Sequence, residues 1–301
     1  MRSFRNAGIF AFSMMLVMIL GSALISALLH KTGSDSLLLQ YGLFYGLQFL
    51  LPIFVYFYLT KESPRSVLRT RLPRPYTFVL AILFALLVQP ALMLISSFSS
   101  TLFHNYVDES MAQYTAQPIW ISLLCVAVLP AVFEEMLSRG IFLSGCRELG
   151  IYTASLLSGL FFGMLHLNPQ QGLYAVVFGA FCAFLAIGAD SIWPAILAHA
   201  LINGTQLLLA YGLTSADSDV LSDAAQLSAP SAVQLATALL FLAMAIWCLV
   251  RVYYVNHREN LLTGKASESG QPLLSFPAAL PGLLWICAAG VLFVLISILV
   301  R

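Results

Sequence analysis

Six side chains capable of acid–base or hydrogen-bond chemistry lie inside otherwise apolar stretches: Glu134, Glu135, Arg139, His166, His199 and Asn203. Hydrocarbon offers an ionised group no water, so a carboxylate or guanidinium kept there must pair or line a wet cavity, and it is a functional candidate by default. Glu135 and Arg139 stand four residues apart, the spacing at which an acid and a base meet on one helix face. Glu134 lies about 100° further round the same helix and is left to address a neighbouring element. A glutamate and a histidine on facing helices hold a water between them, and the carboxylate takes its proton as general base. That role falls to Glu134 and His166. His199 and Asn203, one helical turn apart, both donate to one oxygen, as the oxyanion of an attacked carbonyl requires. The set amounts to a hydrolytic constellation, with Glu135 and Arg139 as its structural pair.

The elements that must position these groups are transmembrane helices. Hydrophobic residues make up 60% of the chain and charged residues 9%, with a mean hydropathy of +0.91, and the apolar runs are long enough to cross ~30 Å of hydrocarbon as helices. The expected fold is all-α: a polytopic transmembrane helical bundle of eight to nine spans, its core made of four motif-bearing helices. Nine candidate spans cover about 8–29, 37–60, 77–103, 118–147, 151–168, 171–189, 191–213, 231–255 and 278–300. The first is read as a retained span, too long for the h-region of a signal peptide. The chain divides into N-terminal helices at 1–117, catalytic helices at 118–213 and C-terminal helices at 214–301. Glu134 and His166 are equidistant from Gly150, so a hairpin turning there places them level; Trp193-Pro194 suggests that the seventh span starts near Ser191.

Arg2 and Arg5, then Lys61, Arg65, Arg69, Arg71 and Arg74, then Arg147, and finally Arg251, Arg258 and Lys265 all fall on one side if the spans alternate. The positive-inside rule makes that side, and the N-terminus, cytoplasmic. Asp108, Glu109, Asp217, Asp219 and Asp223 fall opposite. The net charge of +1 points to no nucleic-acid partner. Five cysteines at 125, 146, 182, 248 and 287 show no metal-ligand spacing and are read as apolar packing residues. Gly159 and Gly163 form a GxxxG pattern that permits close helix approach.

At the polar positions the chain resembles the intramembrane CAAX-protease and bacteriocin-processing (CPBP) family of glutamic endopeptidases, which includes CAAX prenyl protease 2 and lysostaphin resistance protein A-like members. The EExxxR motif reads Glu134-Glu135-Met136-Leu137-Ser138-Arg139, the FxxxH motif Phe162-Gly163-Met164-Leu165-His166, and the HxxxN motif His199-Ala200-Leu201-Ile202-Asn203. Their order and spacing carry the resemblance, over about residues 118–210. It implies a peptidase without a covalent acyl-enzyme, with Glu134 and His166 activating water, His199 and Asn203 steadying the oxyanion, and Glu135, Arg139 and Phe162 in support. The implied substrate is a membrane-associated or lipidated peptide or protein, with lipid as the other partner, and the implied location is a prokaryotic plasma membrane.

No cofactor is expected. Zinc is the alternative, with Glu134, His166 and His199 as ligands; the metal-free reading is favoured because there is no HExxH helix. A proton-coupled transporter and a non-catalytic immunity or regulatory protein are the competing function classes. A transporter of the inverted-repeat kind would show matching broken helices in both halves, and no such repeat is seen.

Overall fold

The computed structural model describes residues 4–33, 36–104, 106–214, 230–263 and 276–299. Residues 215–229 and 264–275, in the loop between α8 and α9 and the polar stretch after α9, lie outside the described residues, as do Arg2, Asp217, Asp219, Asp223, Lys265 and Arg301. The helices are α1 (Phe4–Thr32), α2 (Leu37–Thr60), α3 (Pro75–Leu102), α4 (Tyr106–Thr115), α5 (Ile119–Gly145), α6 (Ile151–Leu165), α7 (Pro169–Ala189), α8 (Trp193–Thr214), α9 (Ala232–Thr263) and α10 (Phe276–Leu299). No strand occurs among the described residues. The protein is an all-α, multi-pass integral membrane bundle: eight of these helices are long and apolar enough to span, and α6 is a shorter apolar helix. At 15 residues α6 covers only ~22 Å, and the three residues 166–168 complete its passage before Pro169 opens α7.

Helix starts follow local chemistry. The Asn168 side chain accepts the Gln170 amide and Pro169 occupies the first turn of α7. Ser191 Oγ accepts the Trp193 amide at 3.4 Å where α8 begins, as the Trp-Pro pair suggests. Helix α4 is a departure from the sequence reading, which left 104–117 as a loop. Its mean polarity hides it from any hydropathy search, and tertiary bonds hold it. Ser122 Oγ donates to the Tyr114 carbonyl at 2.8 Å, and the Tyr211 hydroxyl reaches the carbonyls of Tyr114 and Gln117 at 3.1 and 2.5 Å, satisfying the orphan acceptors of the helix end. Likewise α9 runs on to Thr263, past the predicted end of its apolar span.

The basic loops meet at one end of the bundle. Ile192 N donates to the Arg69 carbonyl and Trp193 Nε1 to that of Thr70, both at 3.1 Å. Arg147 Nη2 reaches the Ser66 carbonyl and Arg74 Nη1 that of Val255, both at 2.8 Å. Burial, then the adjacent Arg147 charge, lowers the Arg69 guanidinium to about 10, with Asp190 opposing, so Arg69 is still a cation at neutral pH. The collar places the end of α2, the start of α3, the α5–α6 turn, the α7–α8 turn and the end of α9 on a common face. Helix α6 therefore traverses the bundle like its longer neighbours.

Two apolar cores pack side by side. One joins α1, α2, α5, α6 and α10, and the other joins α3, α7, α8 and α9 with Phe162 of α6. The seam is tight where α6 meets α7. A Cβ on Gly159 would lie 2.4 Å from the Val176 carbonyl oxygen, and one on Gly163 would lie 2.5 Å from Val176 Cγ2. The GxxxG pattern thus does what its spacing implies, letting two backbones touch. Four of the cysteines, Cys125, Cys146, Cys182 and Cys248, are buried and all five are free.

Candidate active site

Helix α5 is an α-helix broken by two π-helical stretches, Leu123–Val128 and Met136–Phe142, and α2 carries a third at Gly46–Leu50. Two of the three precede a proline. The rings of Pro52 and Pro130 collide with the carbonyls four residues back, those of Gln48 and Val126, and can give them no N–H. The Val126 carbonyl so released accepts Asn203 Nδ2 of α8 at 3.1 Å. One proline thereby ties the third motif to the first. Single-turn π segments inside α-helices are frequent at functional sites, and the stretch Met136–Phe142 follows the two glutamates directly and contains Arg139.

Glu135 and Arg139 form the pair that their spacing predicts: Arg139 Nη1 lies 3.0 Å from Glu135 Oε1, with both side chains fully buried. The pair is also more than local. Arg139 Nη2 donates to the Gly179 carbonyl of α7 at 3.2 Å, and its guanidinium lies over the Phe162 ring at 4.3 Å. The same Glu135 Oε1 meets His199 Nδ1 of α8 at 2.9 Å. Phe162 and Phe178 stand edge-on to the His199 ring at 5.6 and 5.4 Å. A carboxylate bound to a guanidinium is an acceptor, so the proton of this bond rides on Nδ1. Such a carboxylate–imidazole bond sets the tautomer and the aim of the ring. His199 Nε2 is thereby turned toward Glu134, whose Oε2 lies 4.0 Å away.

His166 closes α6. Its Nδ1 stands 2.9 Å from the Phe162 carbonyl, which only accepts, so Nδ1 carries the hydrogen and Nε2 is left for another partner. Glu134 and His166 both line one cavity, with the α5–α6 turn at residues 146–150 between their helices. His199, with the looser depth match in sequence, is the histidine that touches both glutamates.

Glu134, His166, His199 and Asn203 share the wall of one cavity of about 520 Å³. Sequence reasoning missed its opposite wall. Tyr41, Tyr45 and Gln48 of α2 face the site, together with Tyr114 of α4 and Tyr174 of α7. Tyr45 and Glu134 line the same cavity, and the Tyr41 hydroxyl bonds that of Tyr114 at 2.6 Å. The signal was available: polar residues at 41, 45 and 48 recur at helical spacing within an apolar span.

Zinc requires several N, O or S donors converging on one point. Among the described residues no group of three or more His, Cys, Asp and Glu side chains is arranged to hold a metal ion. His166 Nδ1 is on the Phe162 carbonyl and His199 Nδ1 on Glu135, which leaves Nε2 of each ring uncommitted.

Residues 115–205 match one known family, described as type II CAAX prenyl endopeptidase Rce1-like. No curated protein and no solved structure matches the chain.

Proposed function

We propose that this chain, whose residues 115–205 match the type II CAAX prenyl endopeptidase Rce1-like family, hydrolyses a peptide bond of a membrane-associated or lipidated protein or peptide, with Glu134 as general base. The observation that carries the reading is the meeting of Glu134 of α5 and His199 of α8 at 4.0 Å in the wall of a polar cavity otherwise surrounded by apolar helices. Of the two glutamates, Glu135 is engaged by Arg139 and His199, which leaves Glu134 facing the cavity.

In the proposed reaction a water in the cavity gives a proton to Glu134 while its oxygen attacks the peptide carbonyl carbon. His166 Nε2 accepts the water's other hydrogen and holds it in line. The carbonyl oxygen becomes an oxyanion and takes hydrogen bonds from His199 Nε2–H and from the Asn203 N–H not given to Val126. Because His199 Nδ1–H is already on Glu135, donation through Nε2 uses the doubly protonated ring. Arg139 and that ring then balance the charges of Glu134 and Glu135, so the buried cluster is neutral overall. Collapse of the intermediate breaks the C–N bond, and Glu134 returns its proton to the leaving amine. Glu135 and Arg139 act by aiming His199. The bundle is proposed to lie in a prokaryotic plasma membrane with its N-terminus cytoplasmic.

Glu134→Gln keeps the shape and removes the base. Purified protein carrying it, reconstituted with membrane-anchored peptides, is expected to lose cleavage by about 10²-fold or more. Equal, non-zero cleavage by both proteins would refute the assignment.

A further inference from the structure

Helix α8 presents one polar stripe to the cavity. His199, Asn203 and Gln206 stand at i, i+4 and i+7, on one face of that helix, and all three line the cavity. Two members of the stripe are already engaged, His199 Nδ1 with Glu135 at 2.9 Å and Asn203 Nδ2 with the Val126 carbonyl at 3.1 Å. The neighbouring Thr205 is engaged too, with Gln89 at 3.0 Å. Gln206 differs from them. Among the described residues its carboxamide makes no hydrogen bond, and neither its oxygen nor its nitrogen is shut away from the cavity it lines. The side chain is half-buried.

A carboxamide with donor and acceptor both open is the complement of a peptide group, which offers a carbonyl and an N–H. Bonds of that kind go to the main chain of an extended segment and leave its side chains free to vary. Among the described residues no Lys, Arg or Asp lines the cavity, so it suits an uncharged segment. In the proposed reaction the oxyanion lies between His199 and Asn203. Gln206 is five residues beyond the midpoint of that pair, or ~7.5 Å along the helix at ~1.5 Å per residue. An extended peptide advances ~3.3 Å per residue. A strand laid along α8 therefore brings to Gln206 a main-chain peptide group about two residues from the scissile bond.

We infer that Gln206 is a substrate-binding residue whose carboxamide takes the main chain of an extended peptide about two residues from the bond that is cut. That contact sets which bond reaches Glu134. The contact itself stands on the open carboxamide in the cavity; its register rests on the proposed hydrolysis.

The test separates binding from cutting. A fluorescent, lipid-anchored peptide without charged residues is bound to Glu134→Gln protein in nanodiscs, and Kd is read by anisotropy. Each backbone amide of the peptide is replaced in turn by an ester, which deletes one N–H. Adding Gln206→Met is expected to raise Kd about fivefold, the scale of one neutral hydrogen bond. One ester position is expected to weaken binding about fivefold when Gln206 is present and less than twofold in Gln206→Met. Gln206 holds no bond of the fold, so the substitution leaves the bundle intact. On protein with Glu134 in place, mass spectrometry of the products locates the cut. The sensitive ester is expected about two residues from it, with Gln206→Met raising KM about fivefold and leaving kcat within threefold. Ester effects that are the same with and without Gln206 at every position overturn the contact, because a side chain that only supported the fold would weaken all the peptides alike. A sensitive position four or more residues from the cut overturns the register. If nothing is cut while one ester still depends on Gln206, hydrolysis fails and the contact stands. Failure of the Glu134→Gln protein to bind any of the peptides overturns the contact.

Discussion

Arg139→Leu tests whether the buried charges are held as a unit. Arg139 and Glu135 have no exposed side-chain surface, and Arg139 forms an ion pair with Glu135, donates to the Gly179 carbonyl and lies over the Phe162 ring. Removing one partner of a buried ion pair costs about 3–5 kcal/mol, because the other charge is left uncompensated. The bond to Gly179 is of the charged kind, worth about 1.5–3 kcal/mol, and the ring contact about 0.5–2 kcal/mol. These contributions overlap, so a loss of about 4 kcal/mol is expected. At about 2–4 °C per kcal/mol for a chain of this size, the thermal midpoint in detergent falls by about 8–16 °C. Glu135→Gln alone strands the cation and loses a similar amount, although its amide oxygen still accepts from His199. The double variant Glu135→Gln, Arg139→Leu buries no unpaired charge and is expected to recover at least ~2 kcal/mol of the summed losses. The measurement is a double-mutant cycle on thermal midpoints. Additivity of the two single losses within about 0.5 kcal/mol would refute a coupled pair and, with it, the aiming of His199 by a balanced cluster.

Asn203→Ala leaves the Val126 carbonyl without its donor; a stability loss of about 1–3 kcal/mol is expected together with a lower cleavage rate, read by thermal melting and peptide turnover on one preparation. Incubation with EDTA or phenanthroline, followed by gel filtration, should leave cleavage unchanged, whereas zinc-dependent recovery would reinstate the metal. Gly163→Ala drives a Cβ to 2.5 Å from Val176 Cγ2 and 2.8 Å from the Gly172 carbonyl, and overpacking of that kind costs about 1–3 kcal/mol. Gly42→Ala, with nothing within 4 Å of the added Cβ, is the matched control and should be neutral or stabilising by up to ~1 kcal/mol.

Much of the fold was legible because span formation is local: a long apolar run needs only its own backbone bonds to be stable in hydrocarbon. That principle found α1 to α3 and α5 to α10, and GxxxG told where α6 would meet a neighbour. It passed over α4, a polar helix held by Tyr211 and Ser122 from elsewhere in the chain. Within the site, the Glu135–Arg139 pair was readable because both ends sit on one helix at fixed spacing. The Tyr45 and Gln48 wall was passed over because tyrosine and glutamine in a span read as interhelical glue until the cavity shows what they face.

The chemistry available to this protein was written in the residue types: two carboxylates, two histidines, an arginine and an asparagine on three apolar helices, α5, α6 and α8. Which of them meet was not. Counting from Gly150 paired Glu134 with His166, and only the packing shows that His199 comes to both glutamates. Depth and azimuth between helices depend on turn length, on the π segments of α5 and on the backbone contact at Gly159 and Gly163. Those are properties of the packed bundle. Which side chains line the cavity is decided in the same way, since sequence places each residue on its span but only packing shows where the space between the spans lies.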